Sequence, residues 1–519
     1  MTVRIDLVVS NANILTLEQE QPVAEAMAVS SGRILGIGDN EELAGLARMA
    51  QQVLDLRGRT VVPGFIDSHA HLEGLGRRLL NLDLGDATSA EDALSKVRAY
   101  VTRIPPGKAV LGFNWDESSW PVRRYLTRRD LDPVAPNNPV VLSRVCGHLY
   151  SVNTLALNQL DIDFSHPGVD RDLQTGELTG VLRDVPIDTR PLRSLGEESL
   201  LAIRAGSQCA VNLGITSVHE NLSRTQLHCL ASYLRLWRAG ELPIRTYCNL
   251  DKDLLAPVVK LGLLSGVGDH IFRIGGVKVF VDGAIGARTA ALTQPYPDDS
   301  TNSGFFEMTE DEYSSIVETA NKLGQQVSTH AIGDAAIALV LRCQERVSGK
   351  EVIKRLRHNI IHAEYLTESL LKHVKELDML LLMQPNFAHR WGLPGGMYDE
   401  RLGVDRAQQL NNLRRILDTG VRVAFGSDCM PMDPIYGLYS AVVHPNPAIR
   451  ITVKEALQCY TLDSAYASFE ERDKGSLAPG KLADFVVLSE NPLSVAPDAL
   501  GKIKVEQTYV GGTLVSSKG

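Results

Sequence analysis

The chain has 519 residues, 44% hydrophobic and 22% charged, with a formal charge of −9. That length allows a large core and more than one domain in an ordinary globular composition. The acidic balance and the absence of a Lys/Arg run argue against nucleic-acid or membrane partners, and no segment nears the ~18 apolar residues that span a bilayer.

The N-terminus, MTVRIDLVVSNANILTLEQE, alternates apolar and polar residues and shows no signal-peptide core. Seven cysteines stand singly, without a C-x-x-C pair, which points to a reducing, cytoplasmic setting. Residues 1–60 read as short strands and turns, such as Asp6-Leu-Val-Val-Ser and Arg33-Ile-Leu-Gly-Ile. Residues 61–71 read Val-Val-Pro-Gly-Phe-Ile-Asp-Ser-His-Ala-His, an apolar strand running into His69 and His71. Side chains two apart in a strand share a face, so both imidazoles aim at one point. Residues 73–195 are far too long for an ordinary βα connection. They are expected to form a subdomain inserted above the barrel mouth.

From residue 196 helices alternate with short apolar strands. Helix 197–213 precedes strand 215–219, helix 225–239 precedes 243–248, and strand 272–280 follows. Helix 310–323 precedes strand 326–330, and helix 334–347 precedes 359–362. Helix 366–376 precedes 379–383, and helix 408–419 precedes 421–428. With the strand before His69 this makes eight βα units, which imply an α/β (β/α)8 TIM barrel over 61–474. A doubly wound open sheet is the rival, weakened by the lack of a glycine-rich phosphate loop. Residues 475–519 again read as strands, and neither terminus has enough of them for its own core. Segments 1–60 and 475–519 are therefore expected to share one β-sandwich.

Chemistry on such a barrel sits at the C-terminal strand ends. Those ends carry His69 and His71, Lys278, His330, His362 and Asp428. A lone histidine is more often a hydrogen-bonded core or surface residue, which is how His228, His270 and His373 read. Four of 13 histidines at converging strand ends instead point to a divalent-metal site. Lys278 lies between Val277 and Val279 on a strand expected to be buried. A desolvated lysine loses its proton readily, and the neutral amine can add CO2 to give a carbamate with two ligand oxygens.

This set resembles the amidohydrolase superfamily in its binuclear, carboxylated-lysine form. Gly276-Val-Lys-Val-Phe-Val-Asp-Gly-Ala-Ile-Gly-Ala-Arg-Thr-Ala290, Gly112-Phe-Asn-Trp-Asp116, the stretch from Asn138 to His148 and Gly176-Glu-Leu-Thr-Gly-Val-Leu182 are similar to amidohydrolase family 3, the branch containing N-substituted formamide deformylase. Gly475-Ser-Leu-Ala-Pro-Gly-Lys-Leu-Ala-Asp484 fits amidohydrolases broadly. The resemblance implies that His69, His71 and Asp428 hold one metal, that His330 and His362 hold the other, and that carboxylated Lys278 bridges them. It implies that a metal-bridging hydroxide cleaves an amide-type C–N bond other than a peptide bond, with Asp428 as proton shuttle. It also implies a small-molecule substrate and, by analogy, a homodimer. Zinc is the expected metal; manganese, iron and cobalt also suit these ligands.

Substrate-facing candidates are Trp115, Asp116, His148 and Arg288, with His219 a catalytic candidate that polarises the scissile carbonyl. Asp282 and Asp334 are expected to support the ligand imidazoles. Cys429 stands after Asp428, where a small or apolar residue is expected. Two other functions compete with this one. A mononuclear deaminase needs a glutamate beside the strand-5 histidine, and the text there is Thr329-His330-Ala-Ile-Gly-Asp334. A catalytically silent scaffold is expected to have lost ligands, and all six are present.

Overall fold

The apolar run before His69 serves two sheets. In the computed structural model, which describes residues 4–144, 149–183, 185, 187–192, 195–222 and 227–518, Thr60–Pro63 pairs with Phe485–Leu488 while Phe65–Ala70 enters the barrel. Pro63 has no N–H to continue a ladder. Gly64 lets the chain pass close to its neighbour: a Cβ there would lie 2.1 Å from Thr216 Oγ1.

The barrel strands are β1 Phe65–Ala70, β2 Ile215–Leu222, β3 Arg245–Asp251 and β4 Phe272–Phe280. They continue as β5 Val327–Ala331, β6 Asn359–His362, β7 Leu380–Met383 and β8 Val423–Phe425. Every ladder between neighbours is parallel, and spatial order follows chain order. A doubly wound sheet would reverse its order at a switch point, so the open-sheet rival is set aside. β8 and β1 meet just past the end of β8, where Asp428 N–H donates to the His69 carbonyl at 2.8 Å. The connecting helices carry ordinary end signals. Glu310–Lys322 begins with a Thr309/Glu312 capping box, and Gly324 follows its end at φ 67°.

The terminal segments form two sheets. One orders Arg33–Gly38, Ala26–Ser30, Ile5–Ser10 and Ala50–Asp55. The other mixes both ends of the chain: Thr513–Ser517, Val505–Val510, Phe485–Leu488, Thr60–Pro63, Asn13–Leu15 and Val23–Ala24. Leu7, Val9, Ile14, Met27, Phe485, Val487 and Tyr509 belong to one buried cluster. Arg245, at the start of β3, holds Asp484 bidentately at 2.6 and 2.8 Å, with both side chains 4% exposed. Asp484→Ala leaves that guanidinium buried and unpaired, so unfolding free energy should fall by about 3–5 kcal/mol. Denaturant titration of both single variants and the double variant checks this; an Asp484→Ala loss under ~1 kcal/mol would contradict it.

Contacts divide the chain into two units, residues 1–71 with 207–519 and residues 72–206. The second is wider at both ends than the expected 73–195. It holds a six-stranded sheet ordered Val169–Arg171, Leu178–Arg183, Leu149–Val152, Val140–Arg144, Val110–Trp115 and Leu82–Asp83. Among the described residues no helix is long and apolar enough to cross a membrane.

Candidate metal centre

Asp67 builds the first corner of the site. Its carboxylate accepts the His69 N–H at 3.1 Å and the Ser427 N–H at 2.9 Å, and Ser427 Oγ donates to it as well. One buried side chain thus ties the end of β1 to the end of β8. Gly426 lets the two backbones touch, since a Cβ there would lie 2.5 Å from His69 N. Beyond it Asp428 and Cys429 take φ 53° and 58°, and across the barrel His362 and Ala363 take φ 73° and 49°. Left-handed backbone in non-glycine residues is strained and gathers where function over-determines the chain.

This geometry brings His69, His71 and Asp428 together, with one ligand-capable atom of each within 4.8 Å of the others. Asp428 Oδ1 lies 3.4 Å from His71 Nε2 and 3.6 Å from His69 Nε2. The His69 ring centroid is 5.1 Å from that of His71 and 5.1 Å from that of His362. His330 and His362 stand 4.5 Å apart. Burial holds the His69 and His362 imidazoles well below their ordinary range and brings His330 down to about 3. All three are therefore neutral, the form that donates a lone pair to a metal.

Lys278 is 1% exposed, and its Nζ has no hydrogen-bond partner among the described residues. It sits 4.6 Å from the centre of the Phe280 ring. Burial pushes its ammonium down to about 7, against the pull of Asp428 and Asp251. A buried orphan amine is costly, and conversion to a carbamate would remove the orphan. The donor set of neutral imidazoles and a carboxylate suits zinc, manganese, iron or cobalt. A cavity of about 670 Å³ opens on Lys278 and His330 and is bordered by Asp251, Phe280, Asp282 and Met308.

Other sequence candidates lie elsewhere. β2 continues past His219 to Leu222, so His219 is a strand-interior residue. It is 2% exposed, 5.3 Å from the Tyr247 ring centre and outside the His69–His71–Asp428 group. Burial brings it down to about 3. Trp115 is fully buried in the core of the inserted unit and donates to the Leu142 carbonyl at 3.3 Å, so it packs that core. Asp116 pairs with Arg144 at 2.9 Å. Arg288 binds Asp298 through two nitrogens at 3.0 and 2.7 Å, which commits the guanidinium expected to clamp substrate. His148 lies outside the described residues.

Asp282 accepts three backbone N–H groups, from Ala291, Ile332 and Gly333, and lies 3.7 Å from His330 Nε2. Asp334 instead caps Thr293 and supports no imidazole. Cys429 accepts the His71 N–H at 3.3 Å through Sγ, and burial pushes its thiol well up. The residues that hold the imidazoles are Gln384, 2.7 Å from His362 Nδ1, and Asn221, whose amide is 2.9 Å from His69 Nδ1. Both were available as polar residues at or just past apolar strands, yet uncharged amides carry no motif.

A family model described as the amidohydrolase family matches residues 52–516. The chain is 30% identical to the YtcJ protein of Bacillus subtilis over 97% of this chain and 98% of that one. It is 30% identical to N-substituted formamide deformylase of Arthrobacter pascens over 99% of each. Among solved structures, that of an uncharacterized metal-dependent hydrolase from Pyrococcus furiosus is similar, with a TM-score of 0.79, 30% identity and coverage of 94% of this chain and 100% of that one. By length matched and by identity, this chain belongs to the amidohydrolase family.

Proposed function

We propose that the chain is a metal-dependent hydrolase of an amide-type C–N bond, with an N-substituted formamide or related N-acyl amine as substrate. The observation that carries this reading is the convergence of His69, His71 and Asp428 beside buried Lys278, which has no hydrogen-bond partner among the described residues. His69, His71 and Asp428 would hold one divalent ion, zinc first among the candidates. His330 and His362 would hold a second, with carboxylated Lys278 between them. Bound there, such ions supply Lewis acidity toward a carbonyl oxygen and acidify a water. The chain supplies the rest. Asp428 accepts the proton of the attacking water at Oδ1 and returns it to the leaving nitrogen, which departs as an amine. His71 and His330 keep fixed ring orientations through the carbonyls of Asn221 and Gly283, at 3.1 and 2.9 Å. Phe280 and Met308 line the adjoining space.

Support for an amide over an ester or a heterocycle is the named activity of the Arthrobacter pascens relative. A panel of N-formyl amines, N-acetyl amines, lactams, esters and aminoheterocycles, offered to metal-replete protein, tests the reading. Amine release from the first two classes is expected. Ammonia release from the heterocycles, with no amide cleavage, would replace hydrolysis by deamination.

A further inference from the structure

Four imidazoles face the cluster, and their partners outside it differ in kind. His71 Nδ1 lies 3.1 Å from the Asn221 carbonyl, His330 Nε2 2.9 Å from the Gly283 carbonyl, and His362 Nδ1 2.7 Å from Gln384 Oε1. Gln384 Nε2 in turn donates to the Leu382 carbonyl. Each of these oxygens takes the ring N–H, leaving the other nitrogen with its lone pair. His69 is opposite. Its Nδ1 lies 2.9 Å from Asn221 Nδ2, an amide nitrogen that only donates.

The direction of that amide is fixed from both ends. Gly276 N–H donates to Asn249 Oδ1 at 2.7 Å, and Asn249 Nδ2 donates to Asn221 Oδ1 at 3.1 Å. Asn221 Nδ2 then donates to the His219 carbonyl at 3.0 Å as well as to His69. A backbone donor starts the chain and a backbone acceptor shares its end. Turning Asn221 would set its oxygen against the His219 carbonyl and its NH2 against that of Asn249. Turning both would set an NH2 against the Gly276 N–H. Each arrangement leaves buried polar groups facing their own kind.

We propose that the Asn249–Asn221 relay holds metal-free His69 as its Nε2–H tautomer, so that the His69–His71–Asp428 site binds a divalent cation more weakly than the His330–His362 site. His69 Nε2 is the nitrogen that faces Asp428 Oδ1, at 3.6 Å. For it to bind metal its proton must leave, either to solvent or to Nδ1 after Asn221 turns. Both routes oppose binding at this one site. Asn221 and Asn249 are positioning residues here, and they touch no reacting atom.

The affinity half of the inference rests on the metal-centre reading; the tautomer half does not. Nitrogen-15 NMR of histidine-labelled, metal-free protein reads the tautomers directly, with His69 assigned by its loss in His69→Gln. His69 should carry its proton on Nε2, and His71 and His362 on Nδ1. Asn249→Asp then reverses the relay. Its carboxylate accepts from both Gly276 N–H and Asn221 Nδ2, which turns Asn221 Oδ1 toward His69. The His69 proton should move to Nδ1, although residue 249 is not its neighbour in the relay. In zinc calorimetry the weaker of two dissociation constants should tighten by about 10–100-fold, the scale of changes around ligand histidines. Asn221→Asp should act in the same direction. A proton on His69 Nδ1 in the metal-free wild type overturns the proposal. So does an unchanged weaker constant in folded Asn249→Asp. A protein that binds no zinc at all would sink the metal centre, while the NMR result would still decide the tautomer.

Discussion

Lys278→Ala is expected to fold normally and to lose about 10³-fold or more in kcat/KM. The fold should survive because the substitution removes a fully buried amine that has no partner among the described residues. On the proposed reading activity should not, because Lys278 would help hold ions whose Lewis acidity is worth several kcal/mol of transition-state stabilisation, and each 1.36 kcal/mol is a factor of ten. Acetate or propionate should restore part of the activity by placing two oxygens in the space vacated by the side chain. Lys278→Arg should not respond, since a guanidinium stays charged and fills that space. Direction with pH is also defined. Burial brings the ammonium to about 7, so the neutral amine that adds CO2 gains population as pH rises through that value. Reconstitution of metal-free protein with zinc, at constant dissolved CO2, should therefore speed up from pH 6 to 8. Wild-type kinetics in Lys278→Ala would remove this residue from the chemistry altogether.

Asp428→Asn should separate rate from binding. The amide keeps the shape and one potential ligand oxygen, and the neighbours His69 and His71 at 3.6 and 3.4 Å remain. What it loses is the base. A fall in kcat of about 10²–10⁴-fold is the scale for losing general acid–base catalysis, and metal content should fall far less. Near-normal kcat in Asp428→Asn would place the proton transfer on another group.

The strands that carry the six candidate ligands were legible because they recur in a repeating βα pattern. Strand Phe272–Phe280, helix Asp334–Val347 and strand Asn359–His362 fall where the periodicity predicts them. The errors have local causes. His219 looked like a strand end because polar Glu220 and Asn221 follow it, yet the strand runs on, buried, to Leu222. The residue at the cluster is Asn221, two positions later on the same face. Pro63-Gly64 reads as the middle of one apolar run, and the pairing of Thr60–Pro63 with Phe485–Leu488 reveals a break between sheets. Trp115 and Arg288 carry side chains that serve either packing or recognition, and sequence spacing does not separate the two. The helices Pro434–Val443, Val453–Cys459 and Leu462–Ala467 follow β8 without a strand to mark them, and the βα register gave no place for them.

The most direct measurement is the metal content of purified, active protein by elemental analysis, taken alongside turnover of an N-formyl amine. About two divalent ions per chain are expected, falling together with activity in His71→Ala and His330→Ala. Full activity in protein that contains no divalent metal would contradict this expectation.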